Sequence, residues 1–204
     1  MIFRYADTSH TRRHGPQGYQ DYRSYKPWLR DEFDFRCVYC LCRERWFPDG
    51  DDNFSVDHIR PRSVTSEHIS DYSNLVYACC QCNAAKQGAT GVPDPCEEPF
   101  GRYLEVLADG TIRGLTTQGV ELIKICRLDR AKLNAFRRGM LELFQELQKR
   151  RSPEAVALSR RFFGFPANLT RLHALRPPRG NVRPNGIESS YFEQQRRGEL
   201  ATTY

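Results

Sequence analysis

Hydrophobic positions along the chain switch between a period of about 2 and one of about 3.6, and each switch marks a change of element. Within residues 22–35, Trp28, Leu29 and Phe33 share one face of a helix that opens around Pro27, since proline is tolerated in a first turn. Residues 43–53, rich in Asp and Gly, read as a loop. Short strands are predicted at 54–58 and 74–78, followed by a helix at 82–87 that Gly88 ends. Residues 88–99 hold three prolines and three acids and read as a linker. Runs at 103–107 and 111–115 flank Asp109-Gly110, the turn of a β-hairpin. Apolar residues at 120, 122, 123 and 126 predict a helix over 117–127. Leu133, Phe136, Met140, Leu143, Phe144 and Leu147 line one face of a longer helix over 133–149. Ser152 before Pro153 caps a third. Residues 1–20 read as an irregular arm. Pro177, Pro178, Gly180 and Pro184 predict that 164–204 is extended, wrapping over the body or partly disordered.

At 204 residues the chain suits one domain, or a compact domain with an extended appendage. A mean hydropathy of −0.67 with 39% hydrophobic residues is polar but supports a core. No apolar run approaches the length of a membrane span. The first residues show no basic-then-apolar export signal, so the expected location is the cytoplasm. The net charge of +6 is uneven: 127–183 hold 14 Lys/Arg against 4 Asp/Glu, whereas 1–126 hold 15 against 18. That basic third is either a polyanion-binding surface or a solvated helix face, and charge alone weighs the two equally.

Eight cysteines without an export signal favour metal ligation over disulfides. Cys37-Val-Tyr-Cys40 and Cys79-Cys-Gln-Cys82 are two knuckles suited to a tetrahedral, structural Zn²⁺. Cys42 and Cys80 would break the two-residue spacing, and Cys96 and Cys126 read as small buried or half-buried residues. A zinc ribbon that only binds nucleic acid or protein would use the same knuckles. Such a ribbon needs no Asp57-His58 between them, nor Asn74 and Asn83 around the second strand. Asp57 and Asn83 offer hard oxygens to Mg²⁺ or Mn²⁺, and His58 is suited to act as a base near neutral pH. Asp57 and His58 alternate faces on a strand, so for one to reach a metal and the other a water the backbone must bend there.

Together, Cys37-Val-Tyr-Cys40, Val56-Asp57-His58-Ile59-Arg60-Pro61-Arg62-Ser63 and Asn74-Leu-Val-Tyr-Ala-Cys79-Cys-Gln-Cys82-Asn83-Ala-Ala-Lys86 resemble the HNH endonuclease family, over about a quarter of the chain. The resemblance implies an α+β fold built on a zinc-braced ββα-metal finger, with a β-hairpin and a helical, basic C-terminal part. It implies that His58 is the general base for DNA phosphodiester hydrolysis and that Asp57 and Asn83 hold the catalytic Mg²⁺ or Mn²⁺. It assigns Asn74 to orienting the base, and Cys37, Cys40, Cys79 and Cys82 to structural zinc. Asn83 stands where the family name has His, a known variant that favours an oxygen-ligated, magnesium-preferring site. Arg60, Arg62 and Lys86 are candidate phosphate contacts.

A looser likeness to stand-alone bacterial HNH proteins suggests a role in antiphage defence or on mobile elements, with a regulatory partner such as an ATPase. The expected division is an arm and helix at 1–36, the nuclease core at 37–90, hairpin and helices at 91–163 and the tail at 164–204. The alternatives are a zinc ribbon without chemistry and an assembly subunit whose 133–147 face is buried against another chain. The oligomeric state is left open.

Overall fold

The computed structural model describes residues 2–63 and 69–204. Strands β1 (Phe54–His58) and β2 (Leu75–Cys79) pair antiparallel, with Val56 opposite Tyr77 and His58 opposite Leu75. The Phe54 and Tyr77 rings stack diagonally across the pair, 4.9 Å between centroids. Every residue of β2 is buried, because α1 (Lys26–Glu32) packs on the pair and carries the fully buried Trp28 and Leu29. Helix α2 (Cys80–Lys86) follows β2 without a loop, which completes a ββα unit. The second strand starts one residue later than its pattern predicts, because Asn74 closes a 3₁₀ turn capped by Asp71. The bend expected at Asp57-His58 falls just beyond β1, at Ile59-Arg60.

The Asp-Gly hairpin forms as β3 (Leu104–Val106) and β4 (Ile112–Gly114), followed by α3 (Thr117–Cys126), α4 (Ala131–Lys149) and α5 (Pro153–Phe163). Gly119 lets α3 approach the hairpin, since a Cβ there would lie 2.1 Å from the Tyr103 carbonyl oxygen. The Ser152 hydroxyl caps α5 by accepting from Ala155 N–H. On α4, Leu133 and Met140 are buried, and Phe136, Leu143, Phe144 and Leu147 pack against the same core. Much of the face that the assembly alternative reserves for another chain is thus covered by the protein itself. Trp46 is the hub, with Phe136 at 5.7 Å and Phe163 at 6.3 Å. Arg43, Arg45 and Trp46 donate to the carbonyls of Phe163, Arg161 and Phe162, satisfying the open C-terminal end of α5.

Residues 164–204 wrap over the body, one of the two courses expected of them, but they include α6 (Asn185–Glu188) and α7 (Tyr191–Arg196) where the Pro/Gly pattern predicts extended chain. Long-range pairing supplies the order. The chain near Gly180 hydrogen-bonds with Gly15 and Gln17 of the N-terminal arm. Phe165, Tyr191 and Tyr204 surround Phe35. Asp31 and Glu32, at the end of α1, hold both termini: Asp31 accepts from Tyr191 N–H and pairs with His14, while Glu32 meets His10 and the N–H groups of Arg13 and His14. No helix among the described residues is long and apolar enough to cross a membrane.

Candidate active site and zinc centre

Cys37, Cys40, Cys79 and Cys82 are all buried, and their sulfurs lie within 4.8 Å of one another. The Cys40–Cys79 sulfur separation is 3.7 Å. Tetrahedral Zn–S bonds of about 2.3 Å imply edges of about 3.8 Å, so the tetrad fits zinc. Local folding sets this spacing. The first knuckle closes with Leu41 N–H on the Cys37 carbonyl and docks through Val38 N–H on the Tyr77 carbonyl of β2. The second knuckle spans the β2–α2 junction. Hydrogen bonds from Cys37, Cys40 and Cys82 hold the Cys79 thiol far below its ordinary range. Cys42 is buried beside the tetrad and Cys80 is exposed on α2, and neither joins it.

Asp57 and His58, consecutive on β1, point into different surroundings. The Asp57 carboxylate is buried and accepts from Tyr39 Oη at 2.6 Å, from His58 N–H at 2.8 Å and from Lys86 Nζ at 3.3 Å. The His58 ring lies edge-on to Tyr22, 4.7 Å away, and its Nε2 is 2.9 Å from the Ile69 carbonyl oxygen. A carbonyl only accepts, so Nε2 carries the proton and Nδ1 has the lone pair. Burial holds the His58 pKa below its ordinary value; the Ile69 carbonyl and Asp57 oppose that shift, while Arg62 and Lys86 add to it.

Asn74 clasps the turn after β1: its Oδ1 accepts from Arg60 N–H at 2.8 Å and its Nδ2 donates to the Arg60 carbonyl at 3.1 Å. Asn83, half-buried on α2, donates through Nδ2 to Ser55 Oγ and more weakly to the Val56 carbonyl. Its Oδ1 makes no hydrogen bond among the described residues. A cation held by Asp57 and Asn83 would find a free amide oxygen on one and a carboxylate shared with Lys86 on the other.

Arg60 and Arg62 are exposed on the turn after His58, and the Arg62 guanidinium lies 5.6 Å from the Tyr22 ring centroid. Lys86 is placed differently from the surface position expected of it. Its side chain is buried, with Nζ 2.6 Å from the His58 carbonyl oxygen as well as on Asp57, so it faces the interior of the ββα unit rather than a phosphate. Three further residues bear on the two centres without a motif to announce them. Tyr39, between the two cysteines of the first knuckle, reaches Asp57, while Tyr22 flanks His58. Arg130 lies beside the tetrad: burial opposes its charge, but Cys82, Cys40 and Cys79 outweigh that and raise its pKa. Only the position of Tyr39 inside Cys-x-x-Cys hinted at a role.

Residues 37–88 match the family model described as HNH endonuclease, a span that contains all four cysteines, Asp57, His58, Asn74 and Asn83. A comparison with curated proteins finds none that matches.

Proposed function

We propose, from the HNH endonuclease domain at residues 37–88, that the chain is a metal-dependent endonuclease that hydrolyses phosphodiester bonds in DNA. The observation that supports this reading is the setting of His58. A general base must be neutral and must present a lone pair toward its water. The Ile69 carbonyl fixes the tautomer that leaves Nδ1 as the acceptor, and burial keeps the ring neutral. In this reading Nδ1 takes the proton from a water, the water oxygen attacks phosphorus, and the 3′-oxygen leaves. Asp57 and Asn83 would hold Mg²⁺ or Mn²⁺, which when bound stabilises charge on the reacting phosphate and the leaving oxygen. Binding at Asp57 competes with the Lys86 ammonium. Asn74 fixes the turn that follows the base, and zinc on the four cysteines braces the junction from which α2 projects Asn83.

The test is incubation of zinc-loaded protein with supercoiled plasmid, with and without Mg²⁺ or Mn²⁺, alongside His58→Ala. The expected result is metal-dependent nicking or linearisation that falls by about 10²–10⁴-fold in the variant. Equal cutting by both proteins would remove His58 as the base. DNA binding by both with no cutting would favour the zinc module without chemistry. A role in prokaryotic defence or on mobile elements, gated by a partner such as an ATPase, rests on the sequence resemblance.

A further inference from the structure

Beside the zinc knuckles lies an open cleft of about 680 Å³, within the range of about 300–1,000 Å³ typical of ligand sites. Its apolar lining includes Trp46, Phe47 and Phe136, and its charged lining is Arg127, Arg130 and Lys132, with no acidic residue. Among the described residues, neither the Arg127 guanidinium nor the Lys132 ammonium has a carboxylate partner. Arg130 is partly committed to the Cys126 and Arg127 carbonyls and to Gln81 on α2.

Two features of the α3–α4 corner add to this charge. Helix α4 begins here without a side-chain cap and without an acid in its first turn, with exposed Asp129 just before its N-cap, and its first residues Ala131 and Lys132 line the cleft. Arg127 occupies the left-handed C-cap of α3 at φ 49°, a position that favours glycine. A backbone strained around an unpaired arginine points to use of the side chain.

We propose that this cleft is a nucleic-acid subsite, in which Arg127 and Lys132 hold phosphates of the strand beside the aromatic wall of Trp46, Phe47 and Phe136. Charge complementarity selects a polyanion, and the aromatic lining favours one whose charges are interleaved with flat rings. The placement selects the strand that flanks the cut. Gln81 of α2 lines the cleft and Asn83 follows two residues later on the same helix, so the cleft adjoins the element that carries Asn83. The exposed face of α2 beside them carries the small residues Cys80 and Ala84, with Cys80 lying against the Asp52 carbonyl. That the strand flanks a cut rests on the nuclease reading; binding in the cleft does not.

The test is fluorescence anisotropy with a labelled single strand and a labelled duplex, in zinc-loaded His58→Ala protein so that nothing is cut. The comparison is the same protein carrying Arg127→Gly and Lys132→Ala. Glycine relieves the strained cap, so the variant should melt no lower than its parent. Affinity should fall about tenfold at moderate salt, and the slope of log K against log salt should flatten by about 1.8 on duplex and about 1.4 on single strand, for two lost phosphate contacts. Unchanged affinity and slope would overturn the proposal, as would absence of DNA binding by the parent. A polyglutamate peptide that depends on these two residues while DNA does not would overturn it in favour of an acidic protein partner. Plasmid cutting by the otherwise unaltered chain is scored separately. Loss of binding in the variant without any cutting would keep the subsite and remove the nuclease, and cutting with unaltered binding would do the reverse.

Discussion

Lys86 offers the sharpest check on the architecture of the site. Its side chain is fully buried and that of Asp57 is 6% exposed, with Nζ 3.3 Å from the carboxylate and 2.6 Å from the His58 carbonyl oxygen. Replacing Lys86 with Met keeps most of the apolar stem and removes the ammonium, which leaves a buried carboxylate and a carbonyl each short of a donor. Breaking a buried pair from one side costs about 3–5 kcal/mol. Asp57 retains Tyr39 Oη and His58 N–H, so the lower end, about 3 kcal/mol, is expected. At about 2–4 °C per kcal/mol for a chain of this size, Tm should fall by about 6–12 °C. Lys86→Met with Asp57→Asn should recover much of that loss, because no unpaired charge then remains buried. The measurement is urea unfolding at pH 7 with zinc saturated, supported by thermal melts. A cost below about 1 kcal/mol for Lys86→Met would refute the reasoning and return the ammonium to solvent, where a phosphate could meet it. A double variant no better than the single one would assign the cost to packing and the bereft carbonyl rather than to charge.

Cys79→Ser should abolish zinc binding, measured by elemental analysis, and melt the ββα unit, since the metal ties the first knuckle to the β2–α2 junction; full zinc content in the variant would contradict the tetrad. Glu32 gives a pH prediction. Burial pushes its carboxyl up, but His10, the Arg13 N–H and His14 outweigh burial and hold it at about 2 against an ordinary 4.5. A depressed pKa contributes stability above pH 4.5 that is lost as pH falls toward 2, here on the order of 3 kcal/mol. Glu32→Gln should therefore cost about that much at pH 7, with a difference from the parent that does not shrink down to pH 5.5. A difference that shrinks within that window would mean Glu32 already takes up a proton there.

The parts legible in the sequence share one property: their partners are near in the chain or fixed by a periodic pattern. The two knuckles, the strand carrying Asp57-His58 and the helix carrying Asn83 were readable because metal ligation and strand alternation dictate residue types at set spacings. Lys86 was not, because a lysine one turn past a zinc knuckle reads the same whether its stem lies outward or folds under the strand. That choice belongs to Tyr39 and Asp57, 47 and 29 positions away. Tyr22 and Arg130 were hidden for the same reason, since each meets its site through tertiary packing. The tail shows the limit most plainly. Its prolines and arginines predict an extended segment, and only the arm at 15–17, the acids ending α1 and the ring of Phe35 give it something to fold against. Those contacts cross more than 150 residues, so no local pattern carries them. The catalytic reading could thus be made from about a quarter of the chain, whereas the surface that would hold its substrate is assembled from α2 and the distant corner between α3 and α4. On the proposed reading the motif accounts for the chemistry, while the path of the strand would be set by residues such as Arg127 and Lys132, which lie outside it.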